Sequence, residues 1–153
     1  MILALFLAIA FPSADQTAWM RPESFHLVIG MPHDDAMRAL RTTGVKVIGD
    51  VTASRVVADY TDSKTLTLSF ERNRLKSVRF ELFVILHEAK GAFAEEAGYL
   101  RATFGEPKKL KTPAVMLYDN RLPNVMAVLS NDPRSEQGQK GLGMVVVRYY
   151  DPR

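Results

Sequence analysis

The sequence predicts an α+β domain: a two-layer sandwich in which an antiparallel sheet carries two helices on one face. Three observations carry that reading. One hairpin shows strict two-residue alternation, two segments have helical apolar spacing closed by glycine, and three further runs of strand length follow the second helix. Taken in order, the segment 25–29 (FHLVI) reads as a short apolar strand and Gly30-Met31-Pro32 as a turn. The segment 33–43 is helical, with Asp34 and Asp35 near the positive end of the helix dipole. Ala36, Met37 and Leu40 face inward, and Gly44 is placed to cap the C-terminus. The segment 45–51 is a short strand or a loop, 55–60 (RVVADY) a strand, and 61–64 a turn.

The hairpin is the clearest signal. Leu66, Leu68 and Phe70 alternate with Thr65, Thr67, Ser69 and Glu71, the pattern of a strand with one wet face. Arg72-Asn73-Arg74 makes the turn, Asn73 being the residue that best tolerates left-handed backbone. On the return strand Val78, Phe80, Leu82 and Val84 share one face, and Arg79 and Glu81 the other. Leu75 is out of phase with them, which predicts a bulge near Lys76-Ser77.

In the second helix, Phe93, Ala97, Leu100 and Phe104 fall within an arc of about 60°. Gly105 ends it and Pro107 prevents continuation. Strands at 114–118, 125–130 and 142–150 follow, the last two joined by a long polar connection, 131–141. The two helices end alike, in Leu40-Arg41-Thr42-Thr43-Gly44 and Leu100-Arg101-Ala102-Thr103-Phe104-Gly105. A tandem α-β-β-β repeat, over 25–86 and 89–150, fits this order.

The segments IGMPHDDAMRALRTTG (29–44) and TLTLSFERNRLKSVRF (65–80) resemble the Gly-Met helix and the LxLxF-turn-LxxV hairpin of small envelope domains. These are the SmpA/OmlA (BamE-like) lipoproteins and the related β-lactamase-inhibitor-protein-like fold. The resemblance implies a periplasmic binding or scaffolding domain on an α/β sandwich. The lipoproteins carry a lipid-attached cysteine that this chain lacks, so membrane anchoring and outer-membrane assembly are not implied.

The chain opens on an uncharged apolar run, 1–11 (MILALFLAIAF), followed by Pro12, Ser13, Ala14 and Asp15. As a helix, eleven residues reach only about 16 Å, roughly half the hydrocarbon thickness of a bilayer. A secretory signal over 1–14, extending to 18 at its longest, is the better reading, with 19–153 left as a single domain. The n-region has no Lys or Arg and the small-x-small site is poor, faults that a start further upstream would explain. The competing reading is a first strand or helix buried in the core.

All 20 Lys and Arg and all 17 Asp and Glu lie beyond position 14, so the mature charge stays at +3. That mild, mixed charge does not mark a nucleic-acid binder. The longest basic run, KKLK at 108–111, reads as a solvated loop, since a patch for anionic lipid or nucleic acid needs interleaved aromatics. Cysteine is absent, which excludes thiol catalysis, thiolate metal sites and lipidation through cysteine.

No constellation for catalysis emerges. His26, His33 and His87 lack metal-ligand spacing and read as surface or capping residues. Asp34-Asp35 suit a helix start better than proton transfer, because adjacent helical residues point about 100° apart. No serine sits in a nucleophile turn. The run GQKGLG at 138–143 leads into a strand, unlike a phosphate-cradling loop, which opens a helix. Trp19 is an anchor for a partner or a plug at one end of the core, and the plug is favoured.

What remains is the wet face of the sheet. Thr67, Ser69, Arg79, Arg148 and Tyr150 form the candidate interaction set, with Thr65 and Glu81 beside them. The expectation is an exported, non-catalytic binding or scaffolding domain of the periplasm or cell envelope, or secreted, whose partner is an unidentified envelope protein. No cofactor, metal, nucleic acid or stable membrane insertion after leader cleavage is expected. Two alternatives stand beside it: an enzyme of unrecognised type using loops 119–124 and 131–141, and a domain binding a small apolar ligand in a cavity over Phe93, Leu100 and Phe104.

Overall fold

The computed structural model describes residues 16–48, 54–109, 115–119, 126–132 and 142–153. The segment 1–14, expected to be a secretory signal, and most of loops 119–124 and 131–141 therefore lie outside the described residues. Within them the chain runs α1 (His33–Thr42), β1 (Lys46–Ile48), β2 (Arg55–Thr61), β3 (Lys64–Glu71), β4 (Arg74–Ile85), α2 (Leu86–Phe104), β5 (Lys108–Lys109), β6 (Val115–Asp119), β7 (Met126–Asp132) and β8 (Leu142–Tyr150). The eight described strands form one antiparallel sheet in the order β1-β2-β3-β4-β8-β7-β6-β5. Each half is thus a helix followed by a four-stranded meander, and the halves join through their last strands, with Phe80 opposite Val147 at the seam.

The architecture is the expected α+β sandwich, helices packed on a sheet. Each half has one strand more than the expected α-β-β-β unit. The additions are the outermost strands, β1 and β5, of three and two residues. Lys108 and Lys109, expected in a solvated loop, pair with Leu117 and Met116. Such short edges carry too few residues to show alternation, and charged ones discourage further strand addition.

Inner and outer faces follow the parity of the hairpin. Leu66, Leu68, Val78, Phe80 and Leu82 are buried under the helices together with Val145, Val147 and Tyr149. Ala36, Met37 and Leu40 of α1 join them, as do Ala89, Ala92, Ala97 and Leu100 of α2, with Phe93 and Phe104 partly buried at the margin. Gly44 and Gly105 close the helices at positive φ, where a Cβ would be strained. The bulge falls at Lys76: Ser69 faces Ser77 but Phe70 faces Leu75, which returns Leu75 to the core.

The segment 25–29 is not a strand. Pro22–Phe25 forms a 3-10 turn started by Pro22, and His26 ends it at φ 55. A short apolar run has no period of its own, and here Phe25 and Leu27 turn inward while Val28 is exposed. Gly30 and Met31 then bond Leu75 across the gap to β4, N–H to carbonyl in both directions. Trp19 does plug the core: its ring meets Phe80 edge-on at 5.6 Å and stacks on Tyr60 at 6.0 Å. Thr17 is also fully buried and its carbonyl accepts the Met20 N–H, so the packed unit includes residues ahead of 19.

The β3–β4 turn places both Arg72 (φ 50) and Asn73 (φ 61) in left-handed conformation, the geometry of a type I′ hairpin. Asn suits this and Arg does not. The double change Arg72→Asn, Asn73→Gly should therefore stabilise the protein by about 1 kcal/mol, a rise of roughly 2–4 °C in a thermal melt. An unchanged or lower melting temperature would contradict the turn assignment.

Candidate functional site

The five residues chosen from parity come together on the sheet face opposite the helices. Register places Thr67 opposite Arg79 and Arg79 opposite Arg148, a single row across β3, β4 and β8. The next row runs Ser69, Ser77, Tyr150. Arg79 and Arg148 thus stand on neighbouring strands, at cross-strand spacings of about 5 Å between Cβ atoms, and their guanidinium groups lean apart, one toward Glu81 and the other toward Tyr150. Arg79 is held by Glu81, Nε to Oε1 at 2.7 Å, and Arg148 lies over the Tyr150 ring at 5.2 Å. Thr65 donates its hydroxyl to Asp59 at 3.0 Å on the same face.

This face is not uniformly wet. Ser77 and Val146 are buried within it, because small side chains there sit between longer neighbours. Arg79 and Arg148 remain exposed. Like charges directly opposite across a strand pair are unfavourable, and the Glu81 ion pair and the Tyr150 ring offset this only in part. The arrangement is chemically suited to carboxylates, which accept two parallel N–H bonds from one guanidinium.

A second feature lies on the helical side. A cleft of about 530 Å³ is lined by Ala18, Trp19, Ser24, Phe25, Thr43, Tyr60 and Lys64. Sequence reasoning missed it, although the parity of Lys64 with Leu66 and Leu68 already placed its stem on the inner face. Lys64 Nζ stands 5.7 Å from the ring centroids of both Trp19 and Tyr60.

Polar contacts tie the N-terminal segment to α2. Arg21 lies over the Tyr99 ring at 3.6 Å, and the Tyr99 hydroxyl donates to Glu23 at 2.9 Å. Burial, then the Glu23 carboxylate, pushes the Tyr99 pKa up. Tyr149 donates to the fully buried Glu96 at 3.4 Å. Burial first, and Glu96 second, raise the Tyr149 pKa, so this phenol remains a neutral donor. Both contacts fasten layers together. Glu96 had no signal in the sequence, since it replaces an apolar residue at a helical position facing the core.

Near the end of β8 a smaller cleft of about 220 Å³ is lined by Gly30, Glu71, Arg72, Arg74, Leu75, Lys76, Asp151 and Arg153. Its four basic residues outnumber its two acidic ones, yet several of the groups bond one another: Arg74 donates to the Gly30 carbonyl, Lys76 to the Arg153 carbonyl, and the Arg153 guanidinium to Asp151 at 3.0 Å. Bonds from the Arg153 side chain and backbone hold the Asp151 carboxyl at about 2, below its ordinary 3.8. Since the folded state binds this proton less readily, its contribution is present above 3.8 and is lost as pH falls through about 2. An NMR titration should place the Asp151 midpoint near 2. Arg153→Gln should return it toward 3.8, and a midpoint that ignores the substitution would refute this pairing.

Of the histidines, His33 opens α1 as expected, while His26 is an exposed left-handed residue and not part of a strand. His87 lies in the first turn of α2. Among the described residues no three His, Asp or Glu side chains converge as a metal site would require, and no helix is long and apolar enough to cross a membrane. No protein-family model matches the sequence, and neither a curated protein nor a solved structure matches it significantly.

Proposed function

We infer that this is a non-catalytic binding domain of the cell envelope that docks an acidic protein surface on the open sheet face. The observation that carries the reading is the adjacency of Arg79 and Arg148, flanked by Thr67, Ser69 and Tyr150, on the face away from both helices. Two arginines opposed across a strand pair weaken the sheet slightly, and their guanidinium groups, leaning to opposite sides, each offer donors to a carboxylate of an acidic surface. Arg and Tyr are also the side chains that most often dominate binding energy at protein interfaces. The apolar opening segment and the resemblance to small envelope domains support export to the periplasm as the setting.

Photocrosslinking in intact cells tests the proposal. A crosslinker placed at Thr67 should capture a defined protein, whereas one at Ala102, on the exposed side of α2, should not. Arg148→Glu should abolish the Thr67 adduct, and Arg148→Thr should weaken it at least tenfold while leaving the fold intact or slightly more stable. Equal capture from both positions, or an adduct indifferent to Arg148→Glu, would refute the docking face. Export has its own readout: a mature protein still beginning MILAL in the cytoplasm would remove the envelope from the proposal.

A further inference from the structure

We propose that the cleft between the N-terminal segment and the β2–β3 hairpin binds a small carboxylate with an apolar tail, for which octanoate is a suitable probe. It is an open cleft of about 530 Å³, so a bound ligand would lie along it with one side in solvent. Three aromatic rings line it. Trp19 stacks on Tyr60 with planes 20° apart, and Phe25 meets Tyr60 edge-on at 5.5 Å. Tyr60 is 44% exposed although its ring belongs to this apolar cluster, so a hydrocarbon chain laid in the cleft would cover it.

Polarity decides the ligand's head group. Two of the three hydroxyls in the lining, all but that of Tyr60, have their hydrogens committed: Ser24 donates to the Ala18 carbonyl at 3.1 Å and Thr43 to the Leu40 carbonyl at 2.8 Å. Lys64 is the one charged residue in the lining, and among the described residues no carboxylate pairs with it. Its ammonium rests near two ring faces, a position that attracts a cation moderately and leaves its hydrogen-bonding capacity open. A cationic ligand would meet like charge there. A neutral one would leave the ammonium without a counter-ion. A carboxylate gains a charge-assisted bond while its tail lies on the exposed Tyr60 ring beside the rim of Trp19.

This site lies on the helical side of the sheet and is independent of the docking face, so either can fail alone. Trp19 is the only tryptophan, which makes its emission a direct reporter of the cleft. Titration with octanoate should shift that emission saturably, with matching heat in calorimetry. Lys64→Gln should weaken octanoate at least tenfold. Octan-1-ol should bind more weakly than octanoate to the unmodified protein, and Lys64→Gln should not change its affinity. Added salt should weaken octanoate alone. Tyr60→Ser should weaken both probes while keeping their order, which preserves the test should Lys64→Gln fail to fold. Lys90→Gln, on the exposed flank of α2, should bind as the unmodified protein does. No saturable response, equal affinity for acid and alcohol, or octanoate binding unchanged in Lys64→Gln would each overturn the proposal.

Discussion

Phe80→Ala should destabilise the protein by about 3–5 kcal/mol, the range for removing a large aromatic side chain from a filled core. Phe80 is fully buried on β4, and four residues from the N-terminal segment and β8 converge on it. Trp19 meets it edge-on, Phe25 stacks on it at 5.9 Å, Tyr149 of β8 meets it edge-on at 6.1 Å, and Val147 faces it across the seam. Little can move in to refill the space, since its neighbours are themselves fixed by the sheet ladder and by α2. Domains of this size have roughly 5–15 kcal/mol in total, so the loss is a large share. Urea denaturation measures it directly, and red-shifted Trp19 emission in the folded variant would show the opened cavity. A cost under about 1 kcal/mol would mean that the aromatic cluster does not hold the N-terminal segment to the sheet.

Val147→Pro should have an effect at least as large, through the backbone instead of packing. Val147 sits in the middle of β8, paired on one side with Phe80 and on the other with Leu129. Proline there removes a ladder donor and places its ring where a neighbouring strand must approach, a cost of about 3 kcal/mol or more. Both four-stranded meanders lose their shared boundary at once. The expected outcome is no cooperative unfolding transition by circular dichroism, with the two halves failing together. A variant that keeps one sharp transition, with only a modest shift in midpoint, would show that the seam is dispensable.

How far the sequence reaches depends on whether the deciding interaction is local. The β3–β4 hairpin was legible because alternation, a turn residue suited to positive φ and the phase slip at Leu75 are all read within a few residues. The helix ends were legible for the same reason, at Gly44 and Gly105. The segment 25–29 differs from a strand because a brief apolar run is extended or turned according to what it packs on, here Phe80 and Tyr60. Of the edge strands, β1 falls within 45–51, which the sequence leaves as strand or loop, while the two residues of β5 carry too little sequence to announce a strand. The candidate face was half legible: parity puts Arg79 and Arg148 on the same side of their strands. Only the pairing of β4 with β8, between residues far apart in the chain, makes them neighbours. The Trp19–Tyr60–Lys64 cleft is assembled from the N-terminal segment and a hairpin, and no period within either reveals it.

The mirrored strand order also says what half of this molecule would be by itself. Cut after β4, the first meander would present a long open edge whose best complement is a strand running the opposite way with the same twist. In the whole chain β8 covers that edge along its length, from Ser77 to Ile85, so neither meander keeps an unpaired inner strand.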